Sequence, residues 1–133
     1  MKVAMLGHKQ YENVRKIKDA LFQLKQKFAD DLIILSAGSQ HGADKFVRKF
    51  ALEFGINYQE YNPAHTTKNL YSMMSDNYYN KPYHVSQFHH RNILIAKACN
   101  VMMAFIPTGA DINGCESAIT SAKKLKKPVT IIT

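Results

Sequence analysis

The stretch DLIILSAG, residues 31 to 38, constrains the fold more than any other part of the chain. Leu32 to Leu35 are apolar without alternation, which suits a strand buried on both faces, and such strands belong to parallel sheets covered by helices. Parallel neighbours need a crossover of a dozen or more residues between them. The flanking sequence supplies it. Residues 2 to 6, KVAML, form a short apolar run that stops at Gly7. From Tyr11 to Phe28, apolar residues recur at three and four (Val14, Ile17, Leu21, Leu24, Phe28), the period of an amphipathic helix. A second helix is predicted over about residues 41 to 54, with Phe46, Val47, Phe50 and Phe54 inward and Gly55 closing it as a C′ residue. INYQEY reads as a third strand, VMMAFI (101 to 106) as a fourth and VTIIT (129 to 133) as a fifth. A helix over about 114 to 126 precedes the last strand, and Pro128 stops it. Strand and helix alternate throughout. The prediction is an α/β, doubly wound sheet of about five parallel strands in the order 3-2-1-4-5, with helices on both faces.

With 133 residues, the chain reads as one domain spanning 1 to 133, large enough to bury a core without staples. No apolar run approaches the length of a membrane span. The segment MKVAMLGHKQ is too short for a signal peptide, and Cys99 and Cys115 have no CxxC spacing, so a cytoplasmic, reducing setting is expected. The formal charge of +8 invites a nucleic-acid reading. The lysines, however, are scattered along helical segments, and the densest cluster (Lys123, Lys124, Lys126, Lys127) falls in a last helical turn, where cations offset the dipole. A solvated face with general attraction to anions is therefore preferred over a dedicated nucleic-acid surface.

One stretch breaks the rhythm. Residues 62 to 84, NPAHTTKNLYSMMSDNYYNKPYH, have no clear period and are too long for an ordinary connection. Their tyrosines argue for a lid or an oligomer interface, and both readings stay open.

Ligands of doubly wound sheets bind beyond the C-terminal ends of the strands. On that edge the sequence places GHKQY (7 to 11), SAGSQHGAD (36 to 44), NPAHTT (62 to 67) and PTGADINGCES (107 to 117). All six histidines (His8, His41, His65, His84, His89, His90) fall in these loops or just ahead of the helix before the fourth strand. None forms an HxH or HxxxH pair on a predictable helix, so no metal and no other cofactor is expected. Gly38 and Gly42 would let backbone approach a ligand, while the amides of Ser39, Gln40 and their neighbours up to Ala43 sit at a helix start that favours phosphate. Asp44 can cap that helix or accept from a ribose hydroxyl. Thr108, Gly109, Gly114 and Cys115 repeat the arrangement at the next loop, and two phosphate-compatible loops suggest a nucleotide-sized ligand.

GSQHGAD after a buried strand, then HHRN opening the helix before the fourth strand, then MMAF and GCESAI, resembles the SLOG superfamily, in its small single-domain branch. The resemblance covers nearly the whole chain outside residues 62 to 84. It implies a Rossmann-like fold and a nucleotide-derived ligand, and its branches include phosphoribohydrolases, DNA-binding DprA proteins and sensors of NAD-derived signals (cyclic ADP-ribose among them) in bacterial and phage conflict. Carried over by position, it implies roles for Gly7, Gly38, Gly42, Asp44, Arg91, Asn92, Gly114 and Glu116. The chain departs from the pattern at His8 and Lys9, which replace a serine and an arginine, and at Cys115, which replaces a threonine. The hydrolases' PGGxGTxxE is also not intact.

Three functions follow. In the first, the chain binds and sequesters or senses a nucleotide: Arg91 pairs bidentately with phosphate, and Tyr71, Tyr78 and Tyr79 stack on a base. In the second, Glu116 is the catalytic carboxylate of an N-glycosidic hydrolase, with thin support from a lone carboxylate. DNA binding is the third. The expected partners are a nucleotide-derived small molecule and further copies of the chain, with nucleic acid less favoured and no membrane.

Overall fold

The computed structural model describes residues 1–39, 41–61, 71, 73, 85–110 and 115–133, and of residues 85–88 the backbone alone. Five strands, β1 (Lys2–Gly7), β2 (Ile33–Ser36), β3 (Asn57–Glu60), β4 (Val101–Phe105) and β5 (Val129–Ile132), form one sheet in the order β3-β2-β1-β4-β5. All neighbours are parallel, with Ala4 registered against Leu35 on one side and Met102 on the other. Among the described residues four helices cross between them: α1 (Val14–Phe28), α2 (Ala43–Glu53), α3 (Val85–Ala98) and α4 (Glu116–Lys124). A 3₁₀ turn, Ala29–Asp31, leads into β2.

The unalternated strands have their explanation in the two core layers. Val3 and Met5 of β1 pack with Ile17 and Leu21 of α1 and Val47 and Phe50 of α2. Ala4 and Leu6, the residues between, pack with Ile95 of α3 and Ile119 and Ala122 of α4. Both faces of the central strand are thus covered, and every side chain from Val3 to Leu6 must be apolar. No helix among the described residues is long and apolar enough to cross a membrane.

Helix ends follow local chemistry. Gly55 (φ +69°) closes α2 in a Schellman arrangement, its N–H donating to Leu52 O at 3.2 Å and Ile56 N–H to Ala51 O at 2.9 Å. α1 begins three residues later than the periodicity predicts. Asn13 caps it, accepting from Lys16 N–H at 3.3 Å. Tyr11 instead turns into the core, with its ring edge-on to Phe105 at 5.5 Å. α3 starts at Val85, so HHRN does not open that helix as expected but lies in its second turn.

The sheet's β3 edge is partly occupied by the chain itself. Glu60 N–H donates to Tyr71 O at 2.8 Å, and Met73 N–H donates to Glu60 O at 2.6 Å.

Candidate functional site

The loops after β1, β2 and β4 converge over the C-terminal ends of the central strands, where crossovers leave toward opposite faces. Backbone locks the first to the end of β4 and to the second. His8 N–H donates to Phe105 O at 2.9 Å, and His8 O accepts from Ala43 N–H at 3.3 Å and Tyr11 N–H at 3.1 Å. A Cβ on Gly42 would lie 2.4 Å from His8 O and Lys9 C and O. A Cβ on Gly7 would meet Phe105 O at 2.4 Å and the Ala43 Cβ at 2.6 Å. The space at Gly42 is therefore filled by the chain's own backbone rather than left for a phosphate.

The expected free amides of the 39-to-43 turn are also largely engaged. Ser39 N–H donates to Asp44 Oδ2 at 3.3 Å, His41 N–H to Ser39 Oγ at 3.3 Å, and Ala43 N–H to His8 O. Gly38 (φ +76°) donates to Ser36 Oγ at 3.2 Å. The turn is a self-supporting platform.

Beneath it lies a buried charged cluster drawn from three elements. Asp44, in the first turn of α2, is 4% exposed, Arg91 of α3 is 9% exposed, and Cys115 caps the start of α4 at 4%. Arg91 Nη1 donates to Ala37 O at 3.3 Å, which brings α3's cation across to the loop after β2. Burial pushes the Asp44 carboxyl up from 3.8 to about 7, against the pull of the Arg91 charge and of the Ser39 and Gly7 N–H groups, and Glu60 adds to the rise. Asp44 Oδ1 has no hydrogen-bond partner among the described residues. Burial pulls Arg91 below its ordinary value, while Asp44 and then Cys115 act the other way. Burial, with the Asp44 charge, pushes the Cys115 thiol up to about 12, so it is a thiol and not a nucleophilic thiolate at neutral pH.

A second buried network adjoins the first. Glu60 at the end of β3 is 0% exposed, and its Oε1 accepts from Tyr58 OH at 2.8 Å and Arg48 Nη1 at 3.3 Å. Burial and the Glu60 charge raise the Tyr58 phenol, keeping it a donor. The Arg48 guanidinium lies over the Tyr71 ring at 5.7 Å, and Tyr71 meets Tyr58 edge-on at 5.7 Å. Sequence reasoning missed Glu60, Arg48 and Tyr58. One signal was available: in INYQEY the alternation places Tyr58 and Glu60 on the same side of the strand, which gives a carboxylate an inward position.

The remaining predicted residues are placed as follows. Asn92 is buried and its Nδ2 donates to Ser117 Oγ at 2.7 Å, tying α3 to α4. His8 is half-buried, with Nδ1 accepting from Gln10 N–H at 3.0 Å, and Lys9 is exposed beside it. Thr108 and Gly109 (φ +77°) are exposed on the third loop, and Glu116 is exposed as the first residue of α4. Tyr71 packs against β3, with Arg48 on one face of its ring. Gln40, Gly114, Tyr78 and Tyr79 lie outside the described residues, as do His65 and His84. Among the described residues no three His, Cys, Asp or Glu side chains gather in a way that could hold a metal.

No protein-family model matches the chain, and no curated protein matches it. Solved structures do. DNA processing protein A from Helicobacter pylori, described for its single-stranded DNA binding, aligns over 98% of this chain with a TM-score of 0.70 and 18% identity. The chain spans 64% of that protein's length. The molybdenum cofactor binding protein of Rippkaea orientalis aligns over 98% of this chain and 74% of its own, with a TM-score of 0.65 and 20% identity. The molybdenum cofactor carrier protein of Chlamydomonas reinhardtii gives the same coverage at 0.61 and 23%. These likenesses are of fold. The fold they share with this chain is a Rossmann-like α/β one, as the sequence resemblance implies.

Proposed function

We propose that this SLOG-type Rossmann-like chain holds a nucleotide or NAD-derived nucleotide at the C-terminal rim of its sheet. It acts there by capture or sensing rather than by hydrolysis. One observation carries the reading: at the rim a buried carboxylate oxygen, Asp44 Oδ1, has no hydrogen-bond partner among the described residues and lies in the field of a buried arginine. A vacant buried acceptor costs free energy that a donor from a ligand would recover. A ribose hydroxyl supplies that donor, and Arg91 supplies the positive charge for a phosphate. The structural neighbours, named for single-stranded DNA and for a molybdenum cofactor, are themselves binding proteins, which favours capture.

Hydrolysis by Glu116 has weaker support, because that carboxylate is exposed as the first residue of α4. A homo-oligomer, a cytoplasmic setting and a role in conflict signalling belong to the same proposal; the first rests on the tyrosines of residues 62 to 84, the second on the cysteine spacing and the last on the sequence resemblance.

The test is calorimetric titration with AMP, NAD and cyclic ADP-ribose between pH 6 and pH 8. A hydroxyl donated to Asp44 requires the ionised carboxylate, which is half populated near pH 7 in the empty site. Affinity is expected to fall about tenfold from pH 8 to pH 6, as one proton must leave before binding. Asp44→Asn should lose that slope. A ligand recovered as free base and sugar would replace capture with hydrolysis.

A further inference from the structure

The sequence scatters its cations, but the fold gathers them. α1 and α2 carry eight of the chain's 18 Lys and Arg residues and three of its 10 Asp and Glu, a net +5 out of +8. Arg15 is paired with Asp19 at 3.8 Å and Arg48 with the buried Glu60 at 3.3 Å, and Asp44 is buried at the rim, which leaves six cations of these helices against Glu53. The two helices lie side by side on one face of the sheet.

Aromatic rings run through this charge. Phe22 of α1 is 51% exposed and meets Phe54 edge-on at 6.3 Å, and Phe54 stacks on Phe50 at 6.1 Å. Lys18 of α1 and Lys49 of α2 both lie over the Phe50 ring, at 5.6 and 5.4 Å. The Lys25 Nζ donates to the Phe54 carbonyl oxygen. Lys18 and Lys25 stand four residues before and three after Phe22, so they flank it on one helical face. The result is an exposed ring set between cations of two helices.

We infer that the outer face of α1 and α2 is a platform for single-stranded nucleic acid, with phosphates over Lys18, Lys25 and Lys49 and an unstacked base on Phe22. Charge complementarity selects a polyanion, and the exposed ring selects one with flat apolar groups. A duplex keeps its bases stacked and cannot use Phe22, whereas base–aromatic stacking along a cationic track is how single strands are held without sequence preference. This surface is separate from the rim, and its occupation does not depend on the nucleotide proposal.

Fluorescence anisotropy of labelled dT20 and rU20 against the full chain, from 25 to 200 mM salt, tests it. Both oligomers are expected to bind at low salt, with log affinity falling linearly in log salt; a preference for one identifies DNA or RNA as the source. The charge reversal Lys18→Glu with Lys49→Glu should weaken binding at least tenfold. Lys97→Glu with Lys124→Glu, an equal charge change on α3 and α4 at the opposite face of the sheet, should weaken it under threefold. Phe22→Ala, at an exposed position that leaves folding intact by circular dichroism, should cost dT20 about tenfold and base-free polyphosphate nothing. The inference is overturned by no binding at 25 mM salt, by equal losses from both charge pairs, by a Phe22→Ala variant that binds dT20 like the parent, or by poly-glutamate binding as tightly as dT20.

Discussion

Gly42 shows how one position can look like a ligand contact and be a packing contact. Its φ of +65° and ψ of −140° lie in a region that is essentially closed to other residues, and a Cβ would strike the His8–Lys9 backbone at 2.4 Å. Gly42→Ala is expected to destabilise the chain by at least about 2 kcal/mol, from backbone strain and the displaced loop together. Gly109→Ala, with φ +77° and no heavy atom within 4 Å of the added carbon, should cost only about 1 kcal/mol. Urea unfolding of both variants checks the contrast, and equal losses would mean that the loops move apart freely. Asp44 adds a pH term. Its carboxyl keeps its proton to about pH 7 when folded, against an ordinary 3.8. Between those values the folded chain binds more protons than the unfolded one, so this group makes stability fall as pH rises from about 4 to 7. The cost is complete above pH 7. Asp44→Asn should melt closer to the parent at pH 4 and above it at pH 8; the idea fails if the difference in Tm does not change with pH.

At the scale of elements, α3 and α4 are joined by more than apolar packing. Asn92 donates to Ser117 Oγ at 2.7 Å across the helix pair, and Asn92 is buried. Removing either partner strands the other's polar atoms, so Asn92→Ala and Ser117→Ala should each cost about 1 to 2 kcal/mol. The double variant should cost clearly less than their sum, because the second change removes a group already orphaned. A strictly additive cycle would show that the bond contributes nothing. This link also bears on the rim, because α3 delivers Arg91 and α4 delivers Cys115 to the same cluster.

For the whole molecule, the segment between β3 and α3 is part of the body at two described points. Tyr71 and Met73 take up the Glu60 backbone, and Tyr71 covers Tyr58 and Arg48. Replacing residues 62 to 84 with a glycine–serine linker should give a folded chain with a lower Tm, since one sheet edge and a buried carboxylate network lose their cover. An unchanged melting curve would reduce Tyr71 and Met73 to passengers. The charge distribution belongs to this scale as well: the consecutive helices α1 and α2 become adjacent because two crossovers return on one face.

Residues alone determined the fold, because the signals for it are local. Unalternated runs such as Leu32–Leu35 demand cover on both faces, the three-and-four spacing from Val14 to Phe28 demands a helix, and Gly55 ends the next one through its own φ. The rim could also be located, since parallel strands put every loop after a strand on one edge. The interior of that edge depended on what the sequence cannot order: which groups come within reach after the chain closes. Asp44, Arg91 and Cys115 are separated by 47 and 24 positions, and only the packing of α2, α3 and α4 around one sheet makes them neighbours. Tertiary contact likewise gave the space at Gly42 to backbone and buried Glu60 beside Arg48. Local propensity is written in adjacent residues, whereas burial and electrostatic coupling are properties of the space between elements.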